Sequence, residues 1–368
     1  MKHIVLSVLD WGLGHATRSM PLIDHLLANG HKVTLASSGV AGVLLQQKYP
    51  QLPYLALPDN NIRYSKRFSQ NLSILLQTPL FIQNIRKEQK LLNRYVKASK
   101  VDGIISDHRY GCWSKEVPSV FVAHQLSLLL PNHLSWARKG LFNLHLNWLK
   151  NFEEIWIPDF EGEQSLSGTL SQAFPLPPKC HFIGPLSRFS SQQNLDTNDL
   201  DTPFRILGIL SGPEPQRSMF MKILLEKLSR VEGDHLLLMG RPDLADEQWH
   251  QHVRIVPHLG EVELMKHISQ ASLVISRTGY SSLMDYSILG CRSVLGIPTP
   301  GQSEQEYLGL NLGSREMIHC ISQNELINSD LGYFLREPRG FKSRQNGRVF
   351  EEKLNGWIRK LSSIKTND

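Results

Sequence analysis

Apolar positions along this chain come in two rhythms. Short unbroken runs such as HIVLSVL, HKVTLASS, VDGIISD and SVFVAHQ lack the alternation of a half-exposed strand, so they predict strands buried on both faces, as in a parallel sheet. Between the first two lies HATRSMPLIDHLLANG, whose apolar residues recur at helical spacing and which closes at Gly30. The alternation pauses at SRFSSQQNLDTNDLDTP, polar and poor in large apolar residues, which predicts a linker. It then restarts: FRILGIL, HLLLMG, VRIVPHL, SLVISRT, RSVLGIPTP and MIHCIS predict strands, with helices at SMFMKILLEKLSRV, EVELMKHISQA, YSSLMDYSILG and SEQEYLGLNLG. The predicted fold is α/β, two doubly wound parallel-sheet domains facing a cleft. The expected boundaries are residues 1–186, a linker at 187–203, residues 204–350, and a basic amphipathic helix at 351–368 that packs on one domain.

Composition changes this picture little. In 368 residues, 41% are hydrophobic and 20% charged, enough apolar material for full cores. No apolar run approaches a bilayer span, the opening MKHIVLSVLD lacks the form of a signal peptide, and Cys112, Cys180, Cys291 and Cys320 are too scattered for a zinc site or a disulfide framework. A cytoplasmic protein is the expectation. The net charge of +6 favours anionic partners, but no nucleic-acid-binding motif accompanies it, so nucleic acid is not expected as a partner.

Candidate chemistry sits where strands end. After the first strand comes Gly12-Leu13-Gly14-His15. A dinucleotide fingerprint wants a third glycine where Thr17 stands and an acidic residue where the second strand ends in Ser37-Ser38, so dehydrogenase chemistry is disfavoured. The turn still aims His15 toward the cleft, either as a base or as a helix-start residue bonded to backbone. Asp107 ends the VDGIISD strand and is either its partner or an unrelated surface carboxylate. In the second half, SLVISRTGYSSLMDYSILG delivers Arg277, Thr278 and Gly279 to a helix start, a cradle for a diphosphate, with Ser281 and Ser282 as further donors. Asp285 follows as a candidate for ribose hydroxyls. Gln302, Glu304, Gln305 and Glu306 offer amides and carboxylates to a sugar, or merely cap a surface helix. Ser211-Gly212 makes a second small-residue turn. Asp199-Leu200-Asp201 has the form of a metal-holding D-x-D, but within a linker it reads as a solvated loop.

Residues 277–290 and 298–307 resemble the carboxyl-terminal donor-binding domain of family 28 glycosyltransferases, the group that includes MurG-like enzymes. The resemblance implies the GT-B architecture and a nucleotide sugar, uridine-linked, held mainly by the second domain. It also implies a ribose role for Asp285, donor-sugar contacts for Gln305 and Glu306, diphosphate contacts for Thr278 and Gly279, and base contacts near His258. On the amino-terminal side, Gly12, Gly14 and His15 resemble the family's glycine loop, and His124-Gln125 the start of a HEQN motif. The missing glycines and the missing Glu and Asn of that motif point away from the peptidoglycan lipid intermediate as acceptor.

The expected activity is an inverting, metal-independent transfer to a hydroxyl, with His15 as base and Arg277 and the helix start at 278–282 taking the leaving-group charge. No cofactor or metal is expected. Arg138, Lys139 and Lys150 beside Trp136, Leu141, Phe142 and Trp148 suit an anionic membrane surface and a lipid-linked or glycan acceptor, or else a core helix. A GT-B-like nucleotide-sugar hydrolase, a 2-epimerase and a non-catalytic nucleotide-sugar sensor stand as alternatives.

Overall fold

The computed structural model describes residues 1–59, 70–190, 204–241, 244–341 and 346–363. The Asp199-Leu200-Asp201 segment and most of the expected linker lie outside the described residues. The chain forms two compact units, Met1–Ser187 with Arg348–Asp368, and Arg188–Gly347.

The first unit is built on β1 (His3–Val8), β2 (Lys32–Ser37), β3 (Tyr54–Ala56), β4 (Gly103–Asp107), β5 (Ser119–Val122), β6 (Glu154–Ile157) and β7 (Cys180–Phe182). Their order is β3-β2-β1-β4-β5-β6-β7, and all pairs are parallel. Ile4, Val5, Leu6 and Val8 of β1 are fully buried, which is why the run is unbroken rather than alternating. Helices α1 (Leu13–Ala28), α2 (Gly39–Lys48), α3 (Gln70–Ser99), α4 (Arg138–Trp148) and α5 (Thr169–Gln172) connect the strands. Helix α1 begins at Gly12, whose φ of 76° suits glycine, and ends where Gly30 turns the chain at φ 71°.

The second unit carries β8 (Phe204–Ile209), β9 (Asp234–Leu238), β10 (Gln248–His250), β11 (Val253–Val256), β12 (Leu273–Ser276), β13 (Val294–Gly296) and β14 (His319–Cys320) in the order β10-β11-β9-β8-β12-β13-β14. Helices α6 (Gln216–Leu228), α7 (Glu261–Gln270), α8 (Tyr280–Leu289), α9 (Ser303–Ser314), α10 (Gln323–Asn328) and α11 (Leu331–Arg336) flank it. Strand β10 is antiparallel at the edge, and RSVLGIPTP and MIHCIS contribute only three and two strand residues, fewer than their apolar runs suggest.

The last helix, α12 (Val349–Ser363), belongs to the first unit. Phe350, Leu354, Trp357, Ile358 and Leu361 recur at helical spacing and enter the core between β1, β4 and α1. Trp357 meets Trp156 edge to face at 5.8 Å. Lys353 and Lys360 each reach Glu154 at 2.9 Å, and with the Trp156 indole donating to it they hold its carboxyl down at about 2 against burial, which pushes it up. Gly103 allows this closeness, since a Cβ there would stand 2.6 Å from the Trp357 ring. Gly103→Ala is therefore expected to cost about 1–3 kcal/mol by overpacking, read as a lower urea midpoint with an unchanged slope.

Each sheet has one point where its strand order reverses, between β1 and β4 in the first unit and between β8 and β12 in the second. Ligands of open parallel sheets bind at the carboxyl ends of the strands there. Among the described residues, no helix is long and apolar enough to cross a membrane.

Candidate active site

At the β1/β4 reversal the register sets Val8 beside Asp107, and α1 springs from the turn after β1. His15, in the first turn of α1, places Nδ1 3.0 Å from Asp107 Oδ1. The two strand ends are neighbours, and the pair exists.

Around it lies a cluster that the sequence reading passed over. Arg18 is one helical turn beyond His15 and only 2% exposed. Its Nε donates to Asp107 Oδ2 at 2.7 Å and its Nη2 to Oδ1, a two-pronged fit of guanidinium to carboxylate. Nη1 donates to His124 Nδ1 at 2.9 Å, while Nη2 also lies 2.8 Å from His15 Nδ1 and 3.2 Å from His108 Nδ1. Ser19 Oγ adds a bond to Asp107 Oδ2 at 3.1 Å. His108 takes a left-handed backbone, φ 56°, uncommon for a side-chain-bearing residue and more tolerable for histidine than for most.

The electrostatics follow from this packing. Burial pushes the Asp107 carboxyl up, but Arg18 and then His15 outweigh it and hold the group well below the usual carboxylate range. Burial first and Arg18 second lower the His15 pKa, against the opposing pull of Asp107, and the same two causes push His108 well below the ordinary imidazole value. At neutral pH the site holds a carboxylate, a guanidinium and uncharged His15 and His108. His15, Asp107 and His108 stand close enough together for a metal, but Arg18 Nη2 already lies against the three ligating atoms. A cation there would have to displace the guanidinium.

His124 corrects an expectation. It is buried and accepts from Arg18, so it belongs to the cluster of Arg18, Asp107 and His15 rather than to an exposed surface. Gln125, half-buried, donates to the Ser127 carbonyl at 3.3 Å. Gly12 is exposed, and Gly14 accepts the Thr17 hydroxyl at its carbonyl.

The β8/β12 reversal of the second unit gathers the expected donor residues at adjacent strand ends, with different roles from some of those foreseen. Ser211 and Gly212 form an exposed turn after β8, Gly212 at φ 91°. Gly279 is the N-cap of α8, with open space where a Cβ would stand, and Ser281 and Ser282 are half-buried in the first turn. That helix start has no side-chain cap, the geometry an anion uses. Arg277 does not aim at such an anion. It is 1% exposed, donates to the carbonyls of Ile297, Pro298 and Gln216 and to Gln323 Oε1, and lies over the Phe220 ring at 4.1 Å. Burial lowers its pKa to about 10. It fastens the turn rather than binding ligand, because carbonyls from three other segments meet on it.

The Thr278 hydroxyl likewise points inward, donating to the Gln305 carbonyl at 2.7 Å. Asp285 is buried and pairs with Arg188 at 3.3 Å, so a ribose would compete with a guanidinium for it. Gln305 accepts from the Thr299 amide and donates to Gln302 Oε1, and Glu306 accepts from the Gly301 amide. These side chains stiffen the 298–302 loop. Glu304 is half-buried in the same first turn of α9, and His258 is exposed just beyond β11, its pKa lowered by partial burial and then by Arg188.

With this geometry in place, the comparisons with known proteins fall into one pattern. The Glycosyl transferase family 1 model matches residues 2–128, the span that holds His15, Arg18, Asp107, His108 and His124. An uncharacterized glycosyltransferase of Methanosarcina acetivorans is 23% identical over 316 residues, 82% of this chain and 81% of its own length. One of Methanosarcina mazei is 24% identical over 328 residues, 82% of each. Among solved structures, the calicheamicin glycosyltransferase CalG4 aligns with a TM-score of 0.63 at 11% identity, over 100% of this chain and 98% of its own. The spinosyn rhamnosyltransferase SpnG aligns at 0.63 and 15%, over 98% and 100%. MurG of Acinetobacter baumannii aligns at 0.56 and 13%, over 99% and 100%. The fold is that of the GT-B proteins, two Rossmann-like domains.

Proposed function

We propose that this chain is a glycosyltransferase that moves a sugar from a nucleotide-sugar donor to an acceptor hydroxyl, with His15 as the general base. The observation that carries this reading is the pair of His15 and Asp107 at the strand reversal of the first unit. Asp107 engages Nδ1 and so orients the ring, and Nε2 is the nitrogen left for an acceptor proton. The ring is uncharged at neutral pH, as a base must be. The match of residues 2–128 to a glycosyltransferase family supports the same assignment.

The donor belongs to the second unit in this reading. Its diphosphate lies at the start of α8, where the amide ends of the helix and the open space over Gly279 suit two phosphates. The departing nucleotide diphosphate takes its stabilisation from those amides. Attack by the acceptor on the anomeric carbon from the face opposite the leaving group inverts that centre. The resemblance of residues 277–307 to family 28 enzymes favours a uridine diphosphate sugar. A thermal-shift panel of UDP-, GDP- and dTDP-sugars tests the assignment, since a donor at a hundred times its Kd stabilises by about 2.7 kcal/mol. Gly279→Leu is expected to keep the melting temperature of the unliganded protein and to lose the shift. A full shift in that variant would put the nucleotide elsewhere. Release of nucleotide without acceptor would mark a hydrolase instead, and a new sugar isomer an epimerase.

The acceptor is proposed to be lipid-linked. Trp136, Leu144 and Trp148 are exposed at 80%, 49% and 40% on and just before α4, with Lys139 and Lys150 exposed among them, although Phe142 is buried and belongs to the core. Aromatic and aliphatic side chains beside lysines suit an anionic membrane surface. Sedimentation with phosphatidylglycerol vesicles is expected to carry the protein down at low salt and release it partly at high salt, while Trp136→Ser with Trp148→Ser stays in solution. Equal binding to neutral vesicles, or none to anionic ones, removes this part of the proposal.

A further inference from the structure

The hydrogen atoms of Arg18 do not suffice for the acceptors around them. Nε–H serves Asp107 Oδ2, and Nη1 serves His124 Nδ1. Nη2 has two hydrogens and three neighbours: Asp107 Oδ1, His15 Nδ1 at 2.8 Å and His108 Nδ1 at 3.2 Å. The fork to the carboxylate uses one. The other reaches either His15 or His108.

The two choices differ in what they leave unpaired. If Nη2 donates to His15, the His15 proton sits on Nε2, His108 Nδ1 loses its donor, and the Asp107 oxygen faces a lone pair on His15 Nδ1 at 3.0 Å. If Nη2 donates to His108, His15 Nδ1 carries the proton and gives it to Asp107 Oδ1. Each Nη2 hydrogen and the His15 proton then meets an acceptor. The 2.8 Å approach of Nη2 to His15 Nδ1 is one between two donors whose hydrogens turn away, to Asp107 and His108. His108 Nδ1 has no comparable alternative partner, since Asp107 Oδ1 is 3.9 Å away and a lone pair cannot donate to it. Burial keeps His108 uncharged, so one ring nitrogen carries a lone pair. Nδ1, which faces the Nη2 donor at 3.2 Å and the carboxylate only at 3.9 Å, is the one placed to accept.

We infer that His108 is a positioning residue that fixes the tautomer of His15 through Arg18: by taking the last Nη2 hydrogen it keeps the His15 proton on Nδ1 and the lone pair on Nε2. The role depends on the reading of His15 as the base, but the tautomer itself can be observed without turnover.

The test is spectroscopic. Long-range proton–nitrogen correlation spectra of protein carrying isotope-labelled histidine, recorded above the imidazole titration range, distinguish the two tautomers, with His15 assigned by the signals lost in His15→Gln. Wild type is expected to show His15 protonated on Nδ1. His108→Phe, which fills the space without an acceptor, is expected to move the proton to Nε2 and to lose about 10²–10⁴ in kcat with KM for the donor little changed. His108→Asn restores an acceptor and tolerates the left-handed backbone, so it is expected to keep the wild-type tautomer and most of kcat. A wild-type His15 protonated on Nε2 overturns the inference, as does a His108→Phe spectrum identical to wild type. Should the Phe variant fail to fold, His108→Leu, likewise without an acceptor, takes the same spectrum, and an unchanged His15 tautomer there overturns the inference as well. Activity surviving in His15→Gln would remove the base reading and leave the tautomer result standing, so the two failures are distinct.

Discussion

His15→Ala is expected to lower kcat by about 10²–10⁴ while leaving donor affinity within twofold of wild type. The two effects separate because the proposed base lies in the first unit and the proposed diphosphate turn in the second. Stopped assays with the donor identified by thermal shift check the rate, and the thermal shift itself checks the affinity. Wild-type activity carries a further mark. Burial, followed by Arg18, lowers the His15 pKa, so the ring stays uncharged through the range where an ordinary histidine takes a proton. The rate is expected to hold as pH falls to about 6.5 and to drop only below it, as protonation removes the lone pair. An acid limb centred above that value would mean that another group supplies the base.

Arg18→Met is the second large effect, and its first readout is stability. Breaking a buried ion pair by removing one partner costs about 3–5 kcal/mol, because the remaining charge stays out of water. Asp107 would keep the Ser19 hydroxyl and His15 but lose both prongs of the guanidinium. Urea denaturation at neutral pH measures the loss. The sign with pH is fixed by linkage: Asp107 titrates well below its unfolded value in wild type and above that position once Arg18 is gone. Folded variant therefore takes up a proton, on Asp107 or on His15, at a pH where folded wild type does not. The stability gap should narrow as the solution is acidified. A constant gap down to pH 4 would show that packing of the arginine stem, rather than the charge pair, accounts for the cost.

Much of the architecture was legible because parallel strands buried on both faces cannot alternate, and each central strand here left an unbroken apolar run. Strand β10 left none, being three exposed residues at an edge. The unit that the last helix joins was also hidden, although its start was read within three residues, since a helix that returns to the first core looks in sequence like any amphipathic helix. In the site, His15 and Asp107 could be named because one opens the helix after the first strand and the other ends a strand. Their contact depended on β1 and β4 being neighbours, a matter of topology. Arg18 was missed because an arginine one turn into an amphipathic helix reads as a solvent-facing charge. Arg277 was misread for the complementary reason. An arginine beside a glycine turn looks like an anion ligand until carbonyls 20 to 61 residues away are seen to converge on it.

The return of α12 to the first unit has a consequence for biosynthesis. Five apolar side chains of that core, Phe350 through Leu361, are translated after the whole of the second unit. Domains commonly mature in the order in which they emerge from the ribosome. Here the earlier-made half must wait, its sheet and first helices exposing an apolar seam until the final segment arrives, so the half translated later is the first able to complete its interior.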